Sequence, residues 1–204
     1  EFLAESCYGP CSMNQETVVR SDALVAIRNI ISAPTKGTKE NLAARSVGAS
    51  SDDEVKKLNE GRLQLKLGAI GLLFATLEGR TDDRVARILS ENISRSLLLK
   101  FSNELANEAK AKVEGNRKDK QENRQEYIEL LDGVAKIASI TRAISQVNGR
   151  FDDSNYEALA TTHSNREEIT NEIGKVEINW CGSTQRVYFP LPVEREYLND
   201  LTKN

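Results

Sequence analysis

From Gln15 to Val147 the apolar residues of this chain recur at spacings of three and four, and between Val176 and Phe189 they alternate with polar ones. The first period is that of one helix face and the second that of one strand face. A chain patterned this way packs several amphipathic helices together and then adds a short sheet. Aromatic residues make up only 5% of the 204, and there are four prolines. Both facts favour helices over a β-sandwich.

The periodicity predicts one helix over Gln15 to Ser32, with Val19, Ala23, Ile27 and Ile30 on one face, ended by Pro34 and Gly37. A polar loop reaches Ser51. There Ser51-Asp52-Asp53-Glu54 reads as a capping box opening a long, central helix. Its stripe is Leu63, Leu67, Ile70, Phe74 and Leu77, widened by Leu65, Leu72 and Leu73, and Gly79 suits its C-terminal cap. Thr81 is the expected cap of the next helix, with Val85, Ile88, Leu89 and Ile93 facing inward. Leu97, Leu98, Phe101 and Leu105 form a fourth stripe. Tyr127, Leu131, Val134, Ala138 and Thr141 form a fifth, which reaches Val147 before Asn148-Gly149. Between them the charged run from Glu108 to Gln125, with Gly115 inside it, reads as a solvated helix end or loop. A shorter helix is expected over Asn155 to Ile173.

Alternation then predicts a β-hairpin. Val176, Ile178 and Trp180 lead into Cys181-Gly182-Ser183-Thr184, and Val187 and Phe189 lead out, with Pro190 and Pro192 stopping the second strand. An isolated hairpin is marginal in water, so this one must lean on other structure. Val193 to Lys203 reads as the start of another helix. The expected fold is mainly α, an armadillo- or HEAT-like helical solenoid with a C-terminal β-hairpin. The solenoid would cover residues 1–173. The hairpin and the following helix would cover 174–204.

The chemistry of the residues argues against an enzyme. His163 is the only histidine, and it lies in the polar run Thr161-Thr162-His163-Ser164. No nucleophile–base set, G-x-S-x-G or glycine-rich phosphate loop accompanies it. Cys7 and Cys11 are one helical turn apart, but a structural zinc needs four ligands in closely spaced pairs, and only Cys181 and His163 remain. The competing reading is small packing residues in a tight turn. Asp152-Asp153-Ser154-Asn155 lacks the glycine and the glutamate of a calcium loop and fits a helix N-cap. Trp180, Tyr188 and Phe189 suggest a base-stacking platform, but a net charge of −3 gives no field for nucleic acid, and hairpin packing accounts for them. An odd count of three cysteines fits a reducing compartment. No signal peptide is visible at Glu1 to Ala4, no run of roughly 20 apolar residues occurs, and the abrupt start suggests part of a longer chain.

Three segments carry a family resemblance. Phe2-Leu3-Ala4-Glu5-Ser6-Cys7-Tyr8-Gly9-Pro10-Cys11, followed by Asn14-Gln15, resembles a signature of the inositol trisphosphate and ryanodine receptors, intracellular calcium-release channels. Glu5, Gly9, Pro10, Cys11, Asn14 and Gln15 match it, whereas Ala4, Ser6 and Tyr8 depart from it. Leu72-Leu73-Phe74-Ala75-Thr76-Leu77-Glu78-Gly79 is similar to a helix end in the same family. Lys175 to Ile178 and Gln185 to Pro192 resemble the inositol trisphosphate receptor's hairpin. The middle of the chain, Lys110 to Asn165, matches nothing in the family.

The resemblance implies a cytosolic coupling segment, the RIH-associated solenoid with its junctional hairpin, in a ligand-gated homotetramer of the endoplasmic reticulum membrane. Its partners would be other domains of the same chain and neighbouring subunits. It also implies that Glu5 supplies part of an activating calcium site, with Glu78 supporting it from behind. Calcium takes about six to eight oxygen ligands and favours carboxylates; the other ligands would come from outside these residues. The alternative is a helical-repeat scaffold for protein interactions, without channel activity.

Overall fold

The computed structural model describes residues 2–7, 11–35, 52–114, 122–149, 173–180 and 183–191. These are mainly helical, with one small antiparallel sheet. The chain divides into two compact units, Glu1–Gly79 and Arg80–Asn204.

The first unit holds α1 (Phe2–Glu5), α2 (Ser12–Arg20), α3 (Asp22–Ser32) and α4 (Asp52–Leu77). The single helix expected over Gln15 to Ser32 is two. Ser21 adopts an extended conformation (φ −91°, ψ 171°), and its hydroxyl accepts a hydrogen bond from Ala23 N at 3.3 Å. A serine that can cap a new helix competes with continuation of the old one. The break also shifts the buried face, which becomes Val18 and Val19 on α2 and Leu24, Ile27 and Ile31 on α3. Helix α3 stops at Ser32 because Ala33, held extended (ψ 145°), precedes Pro34.

Helix α4 packs against all three preceding helices. Its buried face is Lys66, Ala69, Ile70, Leu73, Ala75 and Thr76. Of the expected stripe only Ile70 is fully buried; Leu63, Leu67, Phe74 and Leu77 are half-buried, and Leu65 is 57% exposed. The apolar letters misplace the stripe because two polar residues occupy it. Lys66 donates to Thr35 Oγ1 at 2.8 Å, and Thr76 donates to Leu73 O at 2.7 Å. Gly79 ends the helix with φ +70°, a conformation open to glycine at little cost.

The second unit holds α5 (Arg84–Asn92), α6 (Arg95–Glu114), α7 (Glu122–Val147), β1 (Ile173–Trp180) and β2 (Ser183–Pro190). Thr81 does not cap α5. Asp82 Oδ1 accepts from Arg84 N at 2.9 Å and is itself held by Arg80, whose Nη2 lies 2.7 Å from Oδ2. A carboxylate beside the positive end of a helix outcompetes a hydroxyl. Ile93 breaks the chain into an extended conformation, and Ser94 Oγ accepts from Leu97 N at the start of α6. Val85, Leu89, Ile93, Leu98, Phe101 and Leu105 are buried as expected. Helix α7 packs on α5, α6 and β2 and contributes Leu130, Leu131, Ile137, Ile140 and Ile144 to the core. It ends at Asn148-Gly149, where Gly149 has φ +63°. The ends of the charged run are helical, as α6 and α7.

The hairpin pairs Val176 with Val187, Glu177 with Arg186 and Trp180 with Ser183. Gly174 faces Phe189; a Cβ at Gly174 would lie 2.7 Å from the Phe189 ring and from Leu191 Cδ2, so the glycine leaves room for both side chains. Tyr188 is buried against Ala135 and Ala138 of α7, while Val176, Ile178 and Phe189 are exposed. The hairpin thus leans on a helix, and among its described side chains Tyr188, on the face opposite Phe189, is the buried one. Ile173, expected to end a helix, begins β1. The helices expected at Asn155 and Val193 lie outside the described residues, as do Ser51, Asp152, Asp153, His163 and Cys181.

Candidate functional site

The two carboxylates singled out by sequence, Glu5 and Glu78, both belong to the first unit. Glu5 ends α1, and the chain then turns tightly: Ser6 Oγ donates to Leu3 O at 2.8 Å, and Cys7 N donates to Ala4 O at 2.9 Å. Glu78 follows the last residue of α4, where its N–H reaches Phe74 O at 3.1 Å. Both residues are exposed. Two solvated carboxylates do not by themselves hold calcium, which needs several more oxygens. Among the described residues no group of three or more His, Cys, Asp or Glu side chains could hold a metal ion.

The site is organised by Asn14 and Gln15, at the start of α2. Asn14 Nδ2 donates to Ser6 O at 2.9 Å. Gln15 is wholly buried, and its Nε2 lies 2.9 Å from Cys7 O, 3.1 Å from Ala75 O and 2.8 Å from Glu78 O. The last carbonyls of a helix have no partner within it, so one amide serves the end of α4 and the turn after α1 together. Apolar packing reinforces the joint. Cys7, Val18 and Ala75 form a buried cluster, with Ala4, Ala23 and Leu72 packed against it.

Cys7 belongs to that core, and burial pushes its thiol up from the ordinary range, which Cys11 adds to and a hydrogen bond with Ser6 opposes. A protonated buried thiol packs as a small hydrophobe. Cys11 is exposed. The two cysteines therefore take different environments, in keeping with the packing reading of Cys7. Gly9 and Pro10 of the same segment lie outside the described residues.

Gln15 is the residue whose role the sequence leaves unstated. It matches the family signature, yet hydropathy places no glutamine in a core. The available signal is spacing, since Gln15, Val18 and Val19 share one helix face.

No protein-family model matches this chain, and no curated protein matches it significantly. No helix among the described residues is long and apolar enough to cross a membrane.

Proposed function

We propose that this chain is a cytosolic coupling segment of an intracellular, ligand-gated calcium-release channel, and that Glu5 contributes one carboxylate to a regulatory calcium site whose other ligands lie on other parts of the assembly. The observation that carries this reading is the Gln15 joint. The first two segments with the family resemblance, far apart in sequence, meet on one buried amide. Glu5 and Glu78 flank that joint. Glu78 also lies just beyond the negative end of the α4 dipole, where a carboxylate is disfavoured and a cation is favoured.

In this reading the helices form a solenoid that carries motion toward a pore, with the hairpin as its output. Calcium acts by bridging surfaces that part in the closed state, so occupancy shifts a two-state equilibrium. The parent is a homotetramer of the endoplasmic reticulum membrane. The segment catalyses nothing and binds no nucleic acid. The deciding experiment is Glu5→Ala in the intact channel. Calcium activation weakens while assembly survives; an unchanged calcium response removes Glu5 from the site.

A second reading draws on the exposed Val176, Ile178 and Phe189 of the hairpin, which suit a helical scaffold for protein interactions. The parent sequence beyond Asn204 separates the two. A channel carries several runs of roughly 18 or more apolar residues there, and a scaffold carries none.

A further inference from the structure

Helix α4 carries a second apolar line, beside its buried face. Leu58 is 41% exposed and Leu65 57% exposed, one heptad apart. Gly61 and Gly68 are also a heptad apart and interleave with them, so the four share one line about 15 Å long. Both glycines are exposed, and a Cβ at either would meet nothing within 4 Å among the described residues. Gly71, open in the same way, lies off the line. Glycine inside a helix is less stable than alanine, and its use is to let another backbone come close. Packing among the described residues gives no reason for Gly61 and Gly68, whereas a second helix laid along α4 does. Leucine knobs beside glycine holes are the surface such a helix fits.

The charges that flank this line are basic. By helical position the exposed Lys57 stands on one side of it and the half-buried Arg62 on the other. Lys56 and Glu60 lie on the far side of the helix, where they pair at 3.9 Å. Glu54, acidic and on the line itself, comes a turn ahead of Leu58, outside the stretch with the glycines. A second copy of α4 is a poor occupant. In a parallel pair Lys57 of one helix would face Arg62 of the other. In an antiparallel pair with each leucine over a glycine, the two Arg62 side chains would meet. We propose that the line from Leu58 to Gly68 is the docking face for an acidic amphipathic helix of a partner, with bulky apolar residues along its seam and Asp or Glu beside them. Its apolar side chains fill the space above Gly61 and Gly68, and its carboxylates reach Lys57 and Arg62. The face belongs to the first unit and makes no use of Glu5.

The test uses the full chain and a fluorescent three-heptad peptide with leucine at its a and d positions and glutamate at e and g. The same peptide with lysine at e and g is the comparison, and binding is read by anisotropy. The glutamate peptide should bind about tenfold more tightly than the lysine peptide, with the difference shrinking as salt is added. Leu65→Glu should abolish binding with little change in Tm, because Leu65 is exposed. Gly61→Ala with Gly68→Ala should raise Tm and yet weaken binding about tenfold, opposite signs that a role in folding alone does not give. Lys57→Glu with Arg62→Glu should reverse the preference between the peptides.

Equal binding of the two peptides, or none of either, overturns the proposal. So does a double alanine variant that binds as wild type does, since no close approach is then being made. Should Leu65→Glu not fold, the charge reversal still decides, because an unreversed preference sinks the acidic partner. Sedimentation covers the rival occupant: a chain that dimerises, and turns monomeric with Leu65→Glu, docks a second copy on this face, and the acidic helix falls.

Discussion

Thr141 sits in the middle of the buried face of α7, 4% exposed, between Ile140 and Ile144 of the same core. Its hydroxyl has no hydrogen-bond partner among the described residues. In the unfolded chain that hydroxyl is hydrated, so folding strips its water and returns nothing, at a cost of about 1–3 kcal/mol. Thr141→Val keeps the shape and the β-branch, leaves helix propensity nearly unchanged, and replaces the stranded oxygen with a methyl group. The expected gain is about 1–2 kcal/mol. For a chain of 204 residues each kcal/mol moves the midpoint by about 2–4 °C, so calorimetry should find the transition about 2–8 °C higher. Thr141→Ser supplies the contrast. It keeps the hydroxyl and deletes the methyl, and should lower stability by about 1 kcal/mol. A valine variant that melts below wild type would refute the reasoning, because only a hydroxyl with a partner stabilises the fold.

Two further expectations concern stability. Hydrogen bonding from Arg80, chiefly, and the N–H of Arg84 hold the Asp82 carboxyl below its usual range, against a smaller opposing effect of burial. A depressed folded pKa contributes stability that is present above the unfolded value of about 4 and lost as pH falls through the folded one. Asp82→Asn should therefore lower the urea midpoint near neutral pH, with the difference closing toward acid. With the Asp82 side chain 45% exposed, solvent screening keeps the effect below about 1 kcal/mol. On α4, Leu73→Ala should cost about 2–5 kcal/mol and Leu65→Ala less than about 0.5 kcal/mol, read by chemical denaturation. Equal losses would mean that the buried face is misassigned.

How far the sequence was legible varies by feature, for identifiable reasons. Helix ends marked by a glycine in the left-handed region, Gly79 and Gly149, were readable because few other residues take that conformation cheaply. The hairpin was readable because period two leaves no alternative over so short a run. The break at Ser21 was not, since a serine inside a helical pattern is weak punctuation until its hydroxyl finds Ala23 N. The face of α4 was misplaced because Lys66 and Thr76 are buried through hydrogen bonds that hydropathy ignores. The sequence points to Thr81 as the cap because threonine is a capping type, and residue type does not show that the Asp82 carboxylate takes that place. Alternation gave the hairpin two faces without saying which one docks, and the answer turned on Tyr188 fitting over two alanines of α7. At the candidate site the carboxylates are legible through the motifs they sit in. Gln15, which joins their segments, matches the same motif, but beyond its helical phase with Val18 nothing in the sequence gives it a buried role.

Among the described side chains of the hairpin only Tyr188 is buried, and this has a consequence for its kinetics. A segment with few buried apolar contacts opens at a fraction of the free energy of the core it touches. Amides of β1, all of whose side chains from Val176 to Asn179 are exposed, therefore exchange with solvent through local excursions, while those of α6 and α7 wait for the whole unit to unfold. Through the Tyr188 ring, force applied to the hairpin reaches α7 at Ala135 and Ala138.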